Sequence, residues 1–189
     1  MVSIRKYQSK DYDDIRHICW ATAKEGLNKD RELLYTIACD YYINEEPENI
    51  FVATDESDRA VGYILCSIAT KKHIKLYKRK YFKLLGKHGS KYVAAKRFYE
   101  FPFMWWVSHT WPAHLHIDIL PEYQGMGLGR KLIETLADYL KSIGSNGLYL
   151  TVSADNESAV KFYRKVGFRQ SLSMFGKGYL FTMKFGKGK

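Results

Sequence analysis

The stretch "ILPEYQGMGLGRKL", Ile119 to Leu132, sets the end of an apolar run against a proline, places three glycines two residues apart, and then opens a helix-like pattern. Gly125, Gly127 and Gly129 each give up a Cβ, which admits positive φ and lets backbone N–H groups approach another molecule, at a cost in chain entropy. A turn of inward-pointing N–H groups that feeds a helix N-terminus presents several donors and the positive end of a dipole to an anion such as a phosphate. The expected order is therefore strand, anion-binding turn, helix.

The flanking residues agree with that order. "AHLHIDIL" reads as the strand before the turn, and Arg130 to Ile143 repeats apolar residues at Leu132, Ile133, Leu136, Ala137, Leu140 and Ile143, an amphipathic helix with Gly144 placed as its C-terminal cap. "LYLTVSA" is the next strand. "DNESAVKFYRKVGF" then opens with capping residues, carries Val160, Phe162 and Val166 on one face and stops at Gly167, and strands around "FRQSLSM" and "YLFTMKF" end the chain.

Upstream, "SIRKY" reads as a strand and Asp11 to Ala23 as a helix burying Ile15, Ile18 and Cys19, with a second helix over Asp30 to Ile43. "IFVAT" and "AVGYILCSIA" flank the polar turn "DESDR" as an antiparallel hairpin. "KLYKRKYFKLL" and "KYVAAKRFYEF" have helical spacing on either side of the break "GKHGS", before the aromatic cluster "FPFMWWV". The result is a mixed α/β (α+β) fold of one sheet and flanking helices, with a basic helical insertion ahead of the strand that enters the glycine turn.

At 189 residues the chain suits one domain spanning 1–189. Hydrophobic residues at 46% and aromatics at 15% argue against disorder, the opening "MVSIRKYQSKDYDD" lacks the apolar core of a signal peptide, and no apolar run reaches membrane-spanning length. Cys19, Cys39 and Cys66 form no C-x-x-C pair and read as buried thiols in a reducing cytoplasm. The net charge of +10 is local: residues 70–112 hold eleven Lys or Arg against the one acid Glu100, so the rest of the chain is nearly neutral.

Three phosphate-binding patterns compete for the turn. A Walker loop needs Gly-Lys-Ser/Thr, whereas Gly129 is followed by Arg130 and Lys131, and a dinucleotide fingerprint counted from Gly125 needs glycine where Arg130 stands. What fits is Gln-x-x-Gly-x-Gly, with Gln124, Gly127 and Gly129 in register. With Asn156, Tyr163 and the terminal "VGF", this resembles an acetyltransferase of the GNAT superfamily. The resemblance is strongest over Leu115 to Phe168, with a weaker likeness in "IRKYQSKDYDDI" and none over the basic insertion. Within the superfamily, "WPAHLHIDILPEYQGMGLGRKL" looks like the subgroup related to the acetyltransferase-like domain of O-GlcNAcase proteins.

That resemblance implies a mostly antiparallel sheet with a splayed central strand pair, and acetyl-CoA as cosubstrate in the gap. It implies main-chain pairing of Ile117, Asp118 and Ile119 with the pantetheine arm, and pyrophosphate binding by Gln124, Gly125, Met126, Gly127, Leu128, Gly129 and Arg130. It also implies a cofactor contact from Asn156, an oxyanion donor at the Ile119 N–H, and Tyr163 as the acid that protonates the departing thiolate. Some relatives carry a glutamate base where this chain has Thr151, so Asp118 is the substitute base, with His116 behind it.

The reading is N-acetyl transfer to a primary amine by direct attack in a ternary complex, since no cysteine lies in the motif region to carry the acetyl group. The acceptor class stays open between a metabolite, an amino sugar and a protein amino group, with a basic entrance favouring acidic or phosphate-bearing acceptors. The rival is a non-catalytic acyl-CoA-binding module in which Thr151 marks a lost base. His114, His116 and Asp118 share a strand face, but no histidine follows His116, so no metal site is expected. Lysines interleaved with Tyr77, Tyr81, Phe82, Tyr92, Phe98 and Tyr99 could contact nucleic acid, yet solvated amphipathic helices give the same string, and nucleic acid is disfavoured as a partner. A homodimer is left open.

Overall fold

The computed structural model describes residues 2–24, 29–87, 100–174 and 177–186. Seven strands form one sheet in the order β1-β2-β3-β4-β5-β7-β6. β1 (Ser3–Lys6), β2 (Phe51–Thr54), β3 (Ala60–Ser67) and β4 (Ala113–Ile119) are antiparallel to one another, as are β5 (Gly147–Ser153), β7 (Gly178–Lys184) and β6 (Arg169–Met174). The two halves meet where β4 runs parallel to β5, pairing only Ala113 with Leu148 and His114 with Tyr149. Beyond those two pairs the strands part, which is the expected splay.

Helices cover both faces. On one, α1 (Tyr12–Thr22), α2 (Arg31–Ala38), α3 (Asp40–Glu45), α4 (Thr70–Lys80) and α5 (Phe82–Lys87) bury Ile15, Ile18, Leu34 and Tyr41 against Val52, Tyr63 and Leu65 of the sheet. Opposite them, α7 (Leu128–Ser142) lays Leu132, Ile133, Leu136 and Leu140 on Phe51, Ala53, Val61 and Ile64. A helix α6 covers residues 100–107, and α8 (Glu157–Lys165) follows β5. Every residue of β3 is buried because its two faces feed two different cores. The cap glycines behave as their positions require, Gly144 at φ 76° and Gly167 at φ 96°.

Three sequence expectations change. The single helix over Asp30 to Ile43 is broken at Cys39, where φ is −130°. Asp40, Tyr41, Tyr42 and Ile43 are all buried, which one straight surface helix cannot achieve, and the break also turns Asp40 onto Arg16 of α1 at 2.9 Å. The run "FPFMWWV" lies in α6, while the helix expected over "KYVAAKRFYEF" falls largely on residues 91–99, outside the described residues. Finally, the basic segment is no appendage: Ile74, Tyr77, Tyr81, Leu85 and Phe101 belong to the same core as Ile15 and Ile18. Tyr77 and Tyr81 are therefore not surface stacking faces.

A buried carboxylate ties these helices to the sheet. Glu46, just after α3, accepts hydrogen bonds from the Tyr41 hydroxyl (2.8 Å), the Asn49 amide (3.1 Å), the Ser67 hydroxyl (2.8 Å) and the Ile68 N–H (3.1 Å). Four donors compensate the desolvation of the charge. Leu136 sits at the centre of the other core, fully buried. Leu136→Ala is expected to lower the unfolding free energy by about 3 kcal/mol, measured by urea denaturation; a loss below about 1 kcal/mol would contradict the packing of α7 described here.

Candidate active site

Where β4 and β5 part, a cleft of about 650 Å³ opens, walled by Leu115–Ile119, the turn Tyr123–Arg130, Leu150–Ser153 and the first turns of α8. In an antiparallel ladder, successive residues send their N–H and C=O alternately toward and away from the neighbour. The Leu120 N–H donates to the Val61 oxygen at 2.9 Å, and Asp118 lies opposite Tyr63, so the main chain of Asp118 faces β3. The main chains of Ile117 and Ile119 face the cleft. Of the three residues expected to pair with a peptide-like ligand, Ile117 and Ile119 turn their main chains to the cleft, while Asp118 turns its own to β3.

The three glycines divide by physical cause. Gly125 and Gly127 have φ of 78° and 79° with nothing within 4 Å of an added Cβ, so the turn needs their left-handed backbone rather than their small size. Gly129 is already helical, and its Cβ would lie 2.9 Å from Phe162 Cζ and 3.5 Å from Ile119 Cδ1. It is a packing glycine that lets α8 close on the turn, which corrects the view that all three exist for anion approach.

The other turn residues also sort themselves. The Gln124 side-chain amide donates to the Ile119 oxygen at 2.8 Å, bracing the turn against the strand, and Gln124 also lines the cleft. Leu128 is buried in the α7 core and offers only its main chain, whereas Met126 is 60% exposed. Arg130 lines the cleft, donating to the Lys165 oxygen (3.2 Å) and lying 3.6 Å from Glu134. Asn156 caps α8 through its Oδ1, which accepts from the Ala159 N–H at 3.1 Å.

The ionisable groups converge from two strands. Asp118 Oδ2 accepts from the Tyr63 hydroxyl at 2.6 Å and lies 2.9 Å from His116 Nε2. The two side chains are thus close enough to pair when the imidazole is protonated. Burial, then the Asp118 charge, push the Tyr63 phenol well up, keeping it a neutral donor. Tyr163 lines the cleft, packed on Phe168 and Phe181, and its phenol is likewise pushed up by burial and then by Asp118. His114 turns away to Thr70, its Nδ1 2.8 Å from the hydroxyl, so the shared strand face does not assemble three ligands. Among the described residues no group of three or more His, Cys, Asp or Glu could hold a metal ion.

Sequence reasoning missed Tyr63, whose partnership with Asp118 depends on the β3–β4 register. It also missed Lys24, which lines the cleft and meets Asp155 at 3.1 Å, joining the chain after α1 to the loop before α8. Thr151 is exposed on β5, where it offers no proton acceptor of carboxylate strength.

A model of the acetyltransferase (GNAT) family matches residues 12–168. The chain belongs to this family. GNAT acetyltransferases use acetyl-CoA. The chain is similar to N-alpha-acetyltransferase 30 of Schizosaccharomyces pombe, 26% identical over 168 residues that cover 89% of this chain and 84% of that one. It is 41% identical over 56 residues to the ribosomal protein bS18 alanine N-acetyltransferase of Escherichia coli, covering 30% of this chain and 38% of the relative. Several other relatives are spanned over only 16% to 32% of their length. Among solved structures, SsHAT aligns with a TM-score of 0.84 at 26% identity, over 97% of this chain and 98% of that one.

The GNAT turn makes a direct prediction. Gly127→Ala should destabilise the protein by about 1 to 2 kcal/mol from left-handed strain alone, since the added methyl meets no neighbour. Urea unfolding that matches the parent would contradict the assigned φ.

Proposed function

We propose that the protein is an acetyl-CoA-dependent N-acetyltransferase that acetylates the N-terminal α-amine of a polypeptide by direct attack in a ternary complex. The observation that carries the acetyl-CoA part is the cleft-facing main chain of Ile117 and Ile119 beside the glycine turn. The acceptor class is supported by similarity over most of the chain to a protein named an N-alpha-acetyltransferase. The likeness of Trp111 to Leu132 to the O-GlcNAcase-related subgroup lies in the cofactor strand and turn, and so does not bear on the acceptor.

When bound, acetyl-CoA supplies the activated thioester. Ile117 and Ile119 pair with its arm through their main chains, and the amides from Gly125 to Arg130 hold its phosphates at the N-terminus of α7. The Ile119 N–H donates to the acyl oxygen as that oxygen gains charge. His116, more exposed than Asp118, accepts the proton of the attacking amine, directly or through one water; Asp118 orients it, and Tyr63 holds Asp118. This reverses the order expected from sequence, because Asp118 Oδ2 is already held by the Tyr63 hydroxyl and lies against His116 Nε2. Tyr163 protonates the departing thiolate, a role suited to a phenol kept in its acid form by burial. Asn156 contributes as the cap that fixes the start of α8, with Nδ2 its remaining route to the cofactor.

The rival, an acyl-CoA-binding module without turnover, rests on the exposed Thr151. The three cysteines are buried free thiols, in keeping with a reducing compartment such as the cytoplasm. Among the described residues no helix is long and apolar enough to cross a membrane.

Thiol release from acetyl-CoA with a panel of N-terminal peptides tests the proposal. His116→Ala should cut kcat by about 10²- to 10⁴-fold and remove the acid limb of the pH profile. Unchanged turnover in that variant would overturn the base assignment, and acetyl-CoA binding without release on any amine would favour the rival. A phenol acid fails as pH rises through its pKa, so with Tyr163 pushed up, the alkaline fall in kcat belongs above the ordinary phenol value of about 10. Tyr163→Phe should lower kcat and leave KM for acetyl-CoA unchanged; kcat equal to that of the parent would remove Tyr163 as the acid.

A further inference from the structure

The outward face of α4 forms a groove of about 700 Å³ lined by Lys71, Lys72, Lys75, Arg79, Lys80, Leu76 and Glu45. Glu45, the acid of this lining, is bonded to Lys80 at 2.8 Å. Lys71, Lys72, Lys75 and Arg79 thus keep a single-sign charge along one helix face. A solvated helix face in this protein looks different. The outer faces of α7 and α8 mix signs in pairs three or four residues apart, Arg130 with Glu134, Lys141 with Asp138 and Lys161 with Glu157. α4 has no acid in its eleven residues, and like charges at i,i+4, as in Lys71/Lys75 and Lys75/Arg79, oppose helix formation. A face kept under that repulsion suits a polyanionic partner.

One indole ring, that of Trp105, adjoins the groove. Lys71 Nζ lies 5.2 Å from the ring of Trp105, and Trp105 and Trp106 are 39% and 62% exposed on α6, among the most exposed large apolar side chains described. An acidic polypeptide needs cations alone, whereas unpaired nucleobases need flat aromatic faces beside them. The i,i+4 cations recur about every 6 Å along the helix axis, a pitch close to that of successive phosphates in an extended strand.

We propose that the α4 groove, with Trp105 beside it, binds single-stranded nucleic acid. This surface is separate from the acetyl-CoA cleft, and the proposal does not depend on the catalytic reading.

Fluorescence anisotropy of labelled oligouridylate and oligothymidylate with the full chain, from roughly 50 to 200 mM salt, is the test. Four phosphate contacts predict a slope of log K against log salt of about −3, and the Lys75→Ala/Arg79→Ala double variant should reduce its magnitude by about 1.4. Trp105→Ala should weaken binding roughly tenfold at an unchanged slope. Circular dichroism of each variant confirms that these exposed changes leave the fold intact. Tighter binding of oligouridylate would assign RNA as the ligand, and tighter binding of oligothymidylate would assign DNA. The proposal is overturned by no saturable binding, or by α4 variants that bind as the parent does. A polyglutamate competitor that displaces the strand equally well, together with no effect of Trp105→Ala, would also overturn it, in favour of an acidic polypeptide.

Discussion

The parallel ladder between β4 and β5 ends after Ala113–Leu148 and His114–Tyr149, so the N–H and C=O groups of Ile117 and Ile119 face a cleft instead of a strand. Backbone polar groups kept from a partner cost about 1 to 3 kcal/mol each when removed from water, and the surroundings are arranged around that debt. Gln124 satisfies the Ile119 oxygen from within the turn. On the far wall, Tyr163 packs on Phe168 and Phe181, and Phe162 fills the space that Gly129 leaves by lacking a side chain. The remaining groups suit the amide-rich arm of acetyl-CoA, the cosubstrate of the GNAT family.

One strand presents two separate sets of groups because its side chains alternate between its faces. The side chains of Leu115, Ile117 and Ile119 lock β4 into the α7 core, while their neighbours His116 and Asp118 project to the opposite face and meet Tyr63. Main-chain alternation is coupled to the same pleat, so Ile117 and Ile119 are both core anchors and the cleft-facing edge. A shift of register by one residue would move both sets at once. That couples the His116–Asp118–Tyr63 cluster to the main-chain groups that face the cleft.

Much of this could be read from the residues, because the signals were local. The glycine turn, the apolar stripe of α7 and the cap glycines Gly144 and Gly167 each follow from a few adjacent positions, and the element order follows from them. What escaped depends on contacts distant in sequence. The Tyr63–Asp118 hydrogen bond spans fifty-five positions and appears only once β3 and β4 are paired. The break at Cys39 reflects four consecutive buried residues that two neighbouring elements demand. Gly129 was grouped with Gly125 and Gly127 because spacing cannot distinguish a residue that needs positive φ from one that faces an aromatic ring. Likewise Tyr77 and Tyr81 alternate with lysines as surface aromatics would, yet they face the core, and among the described residues the exposed large apolar rings are Trp105 and Trp106.

The central claim is that the parted strands and the glycine turn together form the cofactor site, and amide NMR during a titration with CoA tests it most directly. The account predicts saturable shifts concentrated at Ile117, Ile119 and Gly125 to Arg130, with matching changes along Leu150 to Ser153 of β5. Binding whose shifts fall elsewhere, for example on α4, or the absence of binding at millimolar CoA, would contradict it.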